Sequence, residues 1–285
     1  ISERAYQQAL SYARNRVQGI PLDGKKGDSI IHHPDILRTL GSMKSEIHAM
    51  RALMLIGAAA MDRANAASLV ESDKLNARVS LLIPIIKGWM TERAQIIASQ
   101  GVQVHGGMGF IEETGAAQHY RDSRILTIYE GTTAIQANDL VFRKTIRDQG
   151  AAVYDLLNEI DSEMDMLARD NDAKILPLAK AVSNASATAR DITAHILRSA
   201  NDPRRAAANA SNYLMLMGSL CGGWMIVQSA AAASRLADDN STDNMRSKIV
   251  LAEIYITHHL PQVTALGKTI LDGDVPVLSM ATDWL

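Results

Sequence analysis

The clearest pattern of apolar and polar positions lies between residues 34 and 68, where apolar residues recur at alternating steps of four and three. These positions are Ile36, Leu40, Met43, Ile47, Met50, Met54, Gly57 and Met61. A stripe of this kind predicts a long helix packed against a second helix. Gly57 indicates that the two helices approach closely at that point, because glycine has no side chain to separate them.

Turn and capping residues divide the remaining chain into further helices. We expect these over residues 1–18, 72–100, 116–122, 133–147, 151–169, 172–199, 203–237 and 242–270. Ser72, Asp73 and the Asp202-Pro203 pair are typical helix starts. Pro84 and Pro261 predict kinks, since proline removes a backbone donor. No run alternates as a half-buried strand would. The sequence therefore predicts an all-α fold of two helical units, residues 1–150 and 151–285.

Composition and charge narrow the classes of protein to consider. The 285 residues are 47% hydrophobic and only 4% aromatic, which suits helices around a sizeable core. The formal net charge is −2, so no basic excess indicates a nucleic-acid partner. Cys221 is the single cysteine of the sequence and permits no internal disulfide. We therefore expect a reducing compartment, either a bacterial cytoplasm or a mitochondrial matrix.

Two stretches bear on membranes and on chain length. Residues 206–234 carry no charge and are long enough to span a bilayer. Their many Asn, Gln, Ser and Ala residues make them only weakly hydrophobic, so we expect a helix buried in a bundle and no transmembrane segment. The opening residues, ISERAYQQAL, contain no start methionine and no signal sequence, and their pattern is that of a helix interior. We therefore expect part of a longer or processed protein.

Candidate chemistry is concentrated between Gln103 and Gln136. Gly106 and Gly107 stand in the segment QVHGGMGF, where the backbone can adopt conformations that a side chain would forbid. Further along, Glu130 precedes a predicted helix start and follows apolar residues. A carboxylate there lies beside unpaired backbone N–H groups and can act as a base on a bound substrate. Alternatively, it only offsets the helix dipole.

Three segments together resemble the C-terminal helical domain of the acyl-CoA dehydrogenase family. They are ISERAYQQALSYARNRVQG, QVHGGMGF and RDSRILTIYEGTTAIQ, and they occur in the family's order. The resemblance covers residue 1 to about residue 147 and implies an acyl-CoA dehydrogenase helical bundle. The family's N-terminal helical and middle β-domains are outside this sequence. The second half resembles, in layout only, the extra helical domain of larger members of the 3-methylmercaptopropionyl-CoA or long-chain bacterial type.

The resemblance implies a role for each matching residue. Glu130 would be the base that removes the Cα proton of an acyl-CoA thioester in a dry pocket, yielding the trans-2-enoyl-CoA while hydride passes to FAD. Its backbone N–H would help to hold the thioester oxygen. Tyr129 and Gly131, on either side of Glu130, would contact the substrate. The residues implied to bind FAD, some of them from a neighbouring subunit, are Arg16, Gln18, Gln103, Gly106, Gly107 and Thr132.

Each of these residues also has a plainer interpretation. Arg16 and Gln18 can be solvated residues at a helix end, the glycines a turn, and Thr132 an N-cap. We expect His33 to cap the following helix and His105 to be packed or surface-exposed. Ala134 replaces a glutamine found in medium-chain members, and we expect Gln136 either to substitute for it or to face solvent.

The resemblance also implies partners: an electron-transfer flavoprotein or similar acceptor, and a second copy in a homodimer or dimer of dimers. Two alternatives remain open. The protein can be an acyl-CoA oxidase or related flavoenzyme, which differs in the access of oxygen to the reduced flavin. This stretch by itself can instead be a non-catalytic helical assembly module, because the flavin-ring contacts of the family's middle domain lie outside it.

Overall fold

The computed structural model describes residues 1–236 and 243–284, and in these ranges regular structure is helical apart from one isolated antiparallel bridge between Val17 and Ser29. This confirms the predicted all-α class. The α-helices of the first half are α1 Ser2–Asn15, α2 Pro34–Ala66, α3 Leu69–His105, α4 Gly107–Phe110, α5 Ala116–Ser123 and α6 Thr133–Asn138, which continues as a π-helix over Asp139–Ile146. The second half contains α7 Ala151–Arg169, α8 Leu176–Arg198, α9 Pro203–Ala208, α10 Ala210–Leu236, α11 Asp243–His258, α12 Gln262–Asp272 and α13 Asp274–Leu278. Short 3₁₀ turns occupy Ile30–His32, Glu112–Thr114, Arg124–Thr127 and Thr282–Trp284.

The long helices α2 and α3 form an antiparallel pair that organises the first half. At one place a Cβ added to Gly57 would lie 2.6 Å from Ile86 Cδ1, so the predicted close approach at this glycine is confirmed. Nearer the other end, Arg93 of α3 forms an ion pair with Glu46 of α2. Both side chains are buried, which makes this pair sensitive to the loss of either member.

Helix α10 is the central element of the second half and also packs against α2 and α3. Its glycine face receives the indole of Trp89 from α3: a Cβ on Gly218 would lie 2.1 Å from Trp89 Cγ. Tyr255 of α11 closes the same face, donating a hydrogen bond to the carbonyl of Ser219 at 3.0 Å. By length and composition α10 could cross a membrane, but most of it is buried among the described helices, as expected for a core helix.

A buried polar cluster joins the two halves. His259, at the break between α11 and α12, has Nε2 2.9 Å from Ser42 Oγ and Nδ1 3.6 Å from Glu46 Oε1. Burial lowers the pKa of His259, although Glu46 opposes the change. The neutral imidazole therefore bridges α2 to the second half by hydrogen bonding.

Several predicted helix ends were wrong. Helix α1 ends at Asn15 instead of residue 18, because Arg16 turns to extended backbone and its carbonyl accepts the N–H of Ile30 at 2.7 Å. Helix α3 begins at Leu69, ahead of the predicted caps Ser72 and Asp73. Its N-cap is Ser68, and Ser68 Oγ donates to Glu71 Oε2 at 3.1 Å, so the acid three residues later belongs to the start signal that the prediction missed.

The long predicted helices of the second half are interrupted. Asn209 separates α9 from α10, although the predicted Asp202 cap is confirmed by its Oδ1 accepting the N–H of Arg205 at 3.2 Å. Pro261 stands at a break between α11 and α12 rather than at a kink, because the chain turns at residues 259–261. The predicted boundary residues 237 and 242 lie outside the described residues.

The predicted stripe on α2 is only partly correct. Met43 and Met50 are buried, but Met54 and Met61 are 46% and 49% exposed. The close contact at Gly57 leaves these two methionines on the wall of an open apolar groove of about 320 Å³ instead of in the core.

Candidate functional site

The predicted catalytic and substrate residues lie in a short segment between the 3₁₀ turn Arg124–Thr127 and helix α6, which we call the Glu130 loop (residues 128–132). Glu130 has φ of 54° and Gly131 has φ of 88°. A left-handed conformation is unusual for glutamate and costs free energy that the surroundings must offset. The loop therefore depends on contacts that hold it in place.

Helix α6 supplies two of these contacts. Thr132 is its N-cap, with Oγ1 accepting the N–H of Ile135 at 3.4 Å, so the predicted capping role is confirmed. Gln136 donates from Nε2 to the carbonyl of Glu130 at 3.1 Å. The half-buried Gln136 side chain therefore helps to fix the carbonyl of the candidate base.

Helix α3 supplies two more contacts, from residues that the sequence prediction missed. Lys87 Nζ donates to the Gly131 carbonyl at 2.6 Å and lies 5.9 Å from the centre of the Tyr129 ring. Glu92 Oε1 accepts the hydroxyl of Thr133 at 2.5 Å. These partners stand about 40 residues away in sequence, so no local spacing could have revealed them.

The predicted dry pocket around Glu130 is not formed by this chain. Glu130 itself is exposed, and so are Ile125, Ile128 and Tyr129, each by about half its surface. Within this chain, the apolar residues that precede Glu130 do not bury its carboxylate. These exposed residues instead form an apolar surface beside the carboxylate. Glu130 would lose its contact with water only if another part of the protein covered this surface. Among the described residues, no group accepts the N–H of Glu130.

Most of the predicted FAD-binding residues lie at a second place, where α1 ends, α2 begins and α3 ends. Arg16 donates to Gln18 Oε1 at 3.2 Å, and both side chains are exposed. The Gln18 carbonyl lies 3.0 Å from His33 Nε2. His33 is the N-cap residue of α2, as predicted: its carbonyl accepts the N–H of Leu37 at 3.1 Å, while its side chain makes no capping bond.

The glycine turn at the C-terminus of α3 completes this second group. Gly106 has φ of 58° and ψ of −140°, a backbone conformation that residues with a Cβ atom rarely adopt. A Cβ at Gly106 or Gly107 would meet no atom within 4 Å, so both glycines face open space. Gln103 is exposed on the turn of helix before them. These residues are accessible to a ligand.

Two neighbours of the turn, Gly109 and His105, have structural roles. A Cβ on Gly109 would lie 2.2 Å from the Val102 carbonyl, so this glycine is required for chain packing. His105 is buried, with Nδ1 2.7 Å from the Gly101 carbonyl and its ring 4.5 Å from that of Tyr12. The Tyr12 contact ties the end of α1 to the end of α3.

The two groups are far apart within one chain. Lys87, which contacts the Glu130 loop, precedes Gly106 by nineteen residues on a continuous α-helix. At 1.5 Å of rise per residue this is about 28 Å. The structure therefore brings Tyr129, Glu130, Gly131 and Thr132 together, and separately Arg16, Gln18, Gln103, Gly106 and Gly107. It does not bring the two groups to one site.

Comparison with known families identifies the class. Residues 1–144 match the family described as "Acyl-CoA dehydrogenase, C-terminal domain", and residues 156–281 match "Acetyl-CoA dehydrogenase C-terminal like". The chain belongs to the acyl-CoA dehydrogenase family.

Individual relatives narrow the resemblance. The chain is 42% identical, over 279 residues, to 3-methylmercaptopropionyl-CoA dehydrogenase of Ruegeria pomeroyi, covering 96% of this chain and 47% of that protein. It thus spans about half the length of this curated relative. The fold is similar to that of Caenorhabditis elegans ACDH-11 in complex with C11-CoA, with a TM-score of 0.74 and 20% identity over 95% of this chain and 44% of that one. A Bacillus anthracis acyl-CoA dehydrogenase complexed with FAD gives a TM-score of 0.65 and 19% identity over 98% and 49%.

Proposed function

We propose that this chain is the C-terminal part of an FAD-dependent acyl-CoA dehydrogenase that oxidises an acyl-CoA thioester to the trans-2-enoyl-CoA. The observation that carries the proposal is the Glu130 loop. Glu130 has a strained backbone, and four hydrogen bonds hold the loop and the first residue of α6. The backbone N–H of Glu130 has no acceptor among the described residues. Strain of this kind is typical of functional sites.

In this proposal Glu130 takes the proton from Cα of the thioester. Its backbone N–H, fixed by the same loop, donates to the thioester oxygen as negative charge develops there. FAD, when bound, supplies the acceptor for the hydride that leaves Cβ. Tyr129 and Gly131 flank the base and line the space for the acyl-CoA. The exposed apolar residues beside Glu130 would be covered by the remainder of the assembled protein, which excludes water and raises the basicity of the carboxylate.

The residues at the ends of α1 and α3 fit a phosphate-bearing, extended cofactor. Arg16 offers a planar set of donors to a pyrophosphate, Gln103 offers a directional amide, and Gly106 and Gly107 leave the room that a Cβ would fill. Thr132 lies instead with the Glu130 loop. Because about 28 Å separates the two groups along α3, one flavin would draw its adenosine-side contacts from a second copy. We therefore propose a homodimer or dimer of dimers, with residues 1–150 and 151–285 as its two helical domains in each chain.

The electron acceptor, the oxidase alternative and the cellular compartment complete the proposal. Hydride received by FAD must leave as electrons, and we propose an electron-transfer flavoprotein or similar acceptor. An oxidase is the weaker alternative, because the relative at 42% identity is a dehydrogenase. The buried lone cysteine fits a reducing compartment, a bacterial cytoplasm or mitochondrial matrix.

The test is Glu130→Gln in the full-length protein, mixed anaerobically with an acyl-CoA while the flavin absorbance is followed. The expected result is loss of flavin bleaching by a factor on the order of 10³ or more, with FAD content unchanged. Glu253→Gln, an exposed acid on α11, is the matched control and should bleach normally. Undiminished bleaching by Glu130→Gln would refute the assignment of the base, and peroxide formation during aerobic turnover would favour the oxidase.

A further inference from the structure

Helix α3 holds the Glu130 loop at two points that bracket Thr132. Lys87 Nζ donates to the carbonyl of Gly131 at 2.6 Å, and Glu92 Oε1 accepts the hydroxyl of Thr133 at 2.5 Å. Lys87 and Glu92 are five residues apart on a helix that runs without a break from Leu69 to His105. Helix α3 therefore fixes Gly131 and Thr133, the residues on either side of Thr132, directly after the candidate base.

Lys87 stands at the edge of an apolar groove. The residue is half-buried and lines this groove together with Ile83, Ile86 and Met54. Burial lowers the pKa of Lys87, while the carboxylates of Glu92 and Glu130 act to raise it. A partly desolvated cation needs polar partners. The Gly131 carbonyl and the face of the Tyr129 ring supply them.

We infer that Lys87 is a positioning residue for the proposed reaction: its ammonium holds Gly131 and Tyr129, and thereby fixes the carboxylate between them. This inference rests on the proposed function of Glu130. Lys87 touches the loop from the helix side and acts through it rather than on a substrate. The left-handed backbone at Glu130 persists only where neighbouring contacts determine it, and Lys87 makes a charge-assisted hydrogen bond to the residue that directly follows Glu130.

The first measurement is independent of cofactor and turnover. Lys87→Met keeps the apolar stem and removes the ammonium. In the full-length protein, we expect exchange of the amide hydrogens of Ile128 and Tyr129, which both donate to the Ile125 carbonyl at 3.0 Å, to become about tenfold faster, the usual scale for a lost charged hydrogen bond. Exchange in α7 serves as an internal check that the fold is intact. Lys144→Met is the matched control. Lys144 donates to Oγ of Ser80, a residue of α3, at 2.5 Å, and this hydrogen bond does not involve the Glu130 loop. Unchanged exchange of the Ile128 and Tyr129 amides would overturn the inference.

The second measurement separates positioning from binding. We expect Lys87→Met to slow flavin reduction by acyl-CoA on the order of 10- to 100-fold, because misplacing a catalytic group by about 1 Å has effects of this size. The apparent substrate dissociation constant should stay within about threefold, since Lys87 makes no proposed substrate contact.

The outcomes distinguish this inference from the function it rests on. A normal reduction rate in Lys87→Met, beside a dead Glu130→Gln, would overturn the positioning role and leave the base in place. A weakened substrate dissociation constant with an unchanged reduction rate would also overturn it. If Glu130→Gln itself reduces flavin normally, the proposed function fails, and the role of Lys87 in it fails as well.

Discussion

The contact between Trp89 and the glycine face of α10 gives the sharpest prediction of stability. A Cβ at Gly218 would lie 2.1 Å from Trp89 Cγ and 2.3 Å from Trp89 Cβ. Carbon atoms in contact prefer about 3.5–4.0 Å. Trp89 is only 1% exposed, and its Cβ is fixed to the α3 backbone, so the helices themselves must separate. Gly218→Ala should therefore lower the free energy of unfolding by about 3 kcal/mol or more, at the upper end of overpacking.

Gly57→Ala is the matched control, since it adds the same methyl group at a buried glycine facing the same helix. Its new Cβ would meet only the end of a flexible side chain, Ile86 Cδ1 at 2.6 Å, beside an open groove. That methyl group can rotate into the groove. Alanine also favours a helix over glycine by about 1 kcal/mol. Gly57→Ala should therefore lie within about 1 kcal/mol of the unsubstituted protein.

Urea unfolding followed by far-UV circular dichroism measures both variants, with stability read from the midpoint at constant slope. For a chain of this size, about 3 kcal/mol corresponds to a fall in Tm of roughly 6–12 °C. Trp89→Ala should not rescue Gly218→Ala, because alanine retains the clashing Cβ. The reasoning is refuted if Gly218→Ala is no more destabilising than Gly57→Ala.

Two further predictions concern charge. Burial is the main cause that lowers the pKa of His48 to about 4, and the nearby cation of Lys248 adds to it. Between about pH 6.5 and pH 4, the unfolded chain therefore binds a proton at this histidine that the folded chain does not. Stability should therefore fall as pH drops through this window, by up to about 3 kcal/mol, and His48→Gln should remove that part of the slope in urea titrations at pH 7 and pH 4.5. Arg93→Met removes the guanidinium partner of the buried Glu46 carboxylate and leaves only His259 Nδ1, 3.6 Å away, so it should cost about 3–5 kcal/mol. The double change with Glu46→Leu should recover most of this loss, and no recovery would mean that the pair is not the cause.

Local patterns were sufficient to predict much of the fold. The bounds of α7, Ala151–Arg169, agree with the prediction because Gly150 and the apolar spacing mark both ends. The start of α2 at Pro34 was likewise predicted from proline at the first helical position. Where prediction failed, as at Arg16, a long-range contact decided the outcome: its carbonyl pairs with the N–H of Ile30 across a loop.

The candidate site was predictable in its residue types but not in its geometry. The segment around Glu130 indicated a base at a helix start, and the structure places Thr132 as the cap. The exposure of Glu130 could not be predicted, because it depends on which surfaces meet the loop. Lys87 gave no signal at all, since a lysine on a long helix usually faces solvent, and its partner is a backbone carbonyl 44 residues later.

The unbroken length of α3 has a consequence for how such a chain can vary. Adding or removing one residue between Lys87 and Gly106 would turn one end of the helix relative to the other by about 100° and shift it by about 1.5 Å. Insertions in surface connections, by contrast, leave the two ends in register. An insertion or deletion between Lys87 and Gly106 would therefore displace the Glu130 loop relative to the glycine turn. Changes of chain length that preserve both groups of residues must lie outside this part of α3, which sets the distance between them.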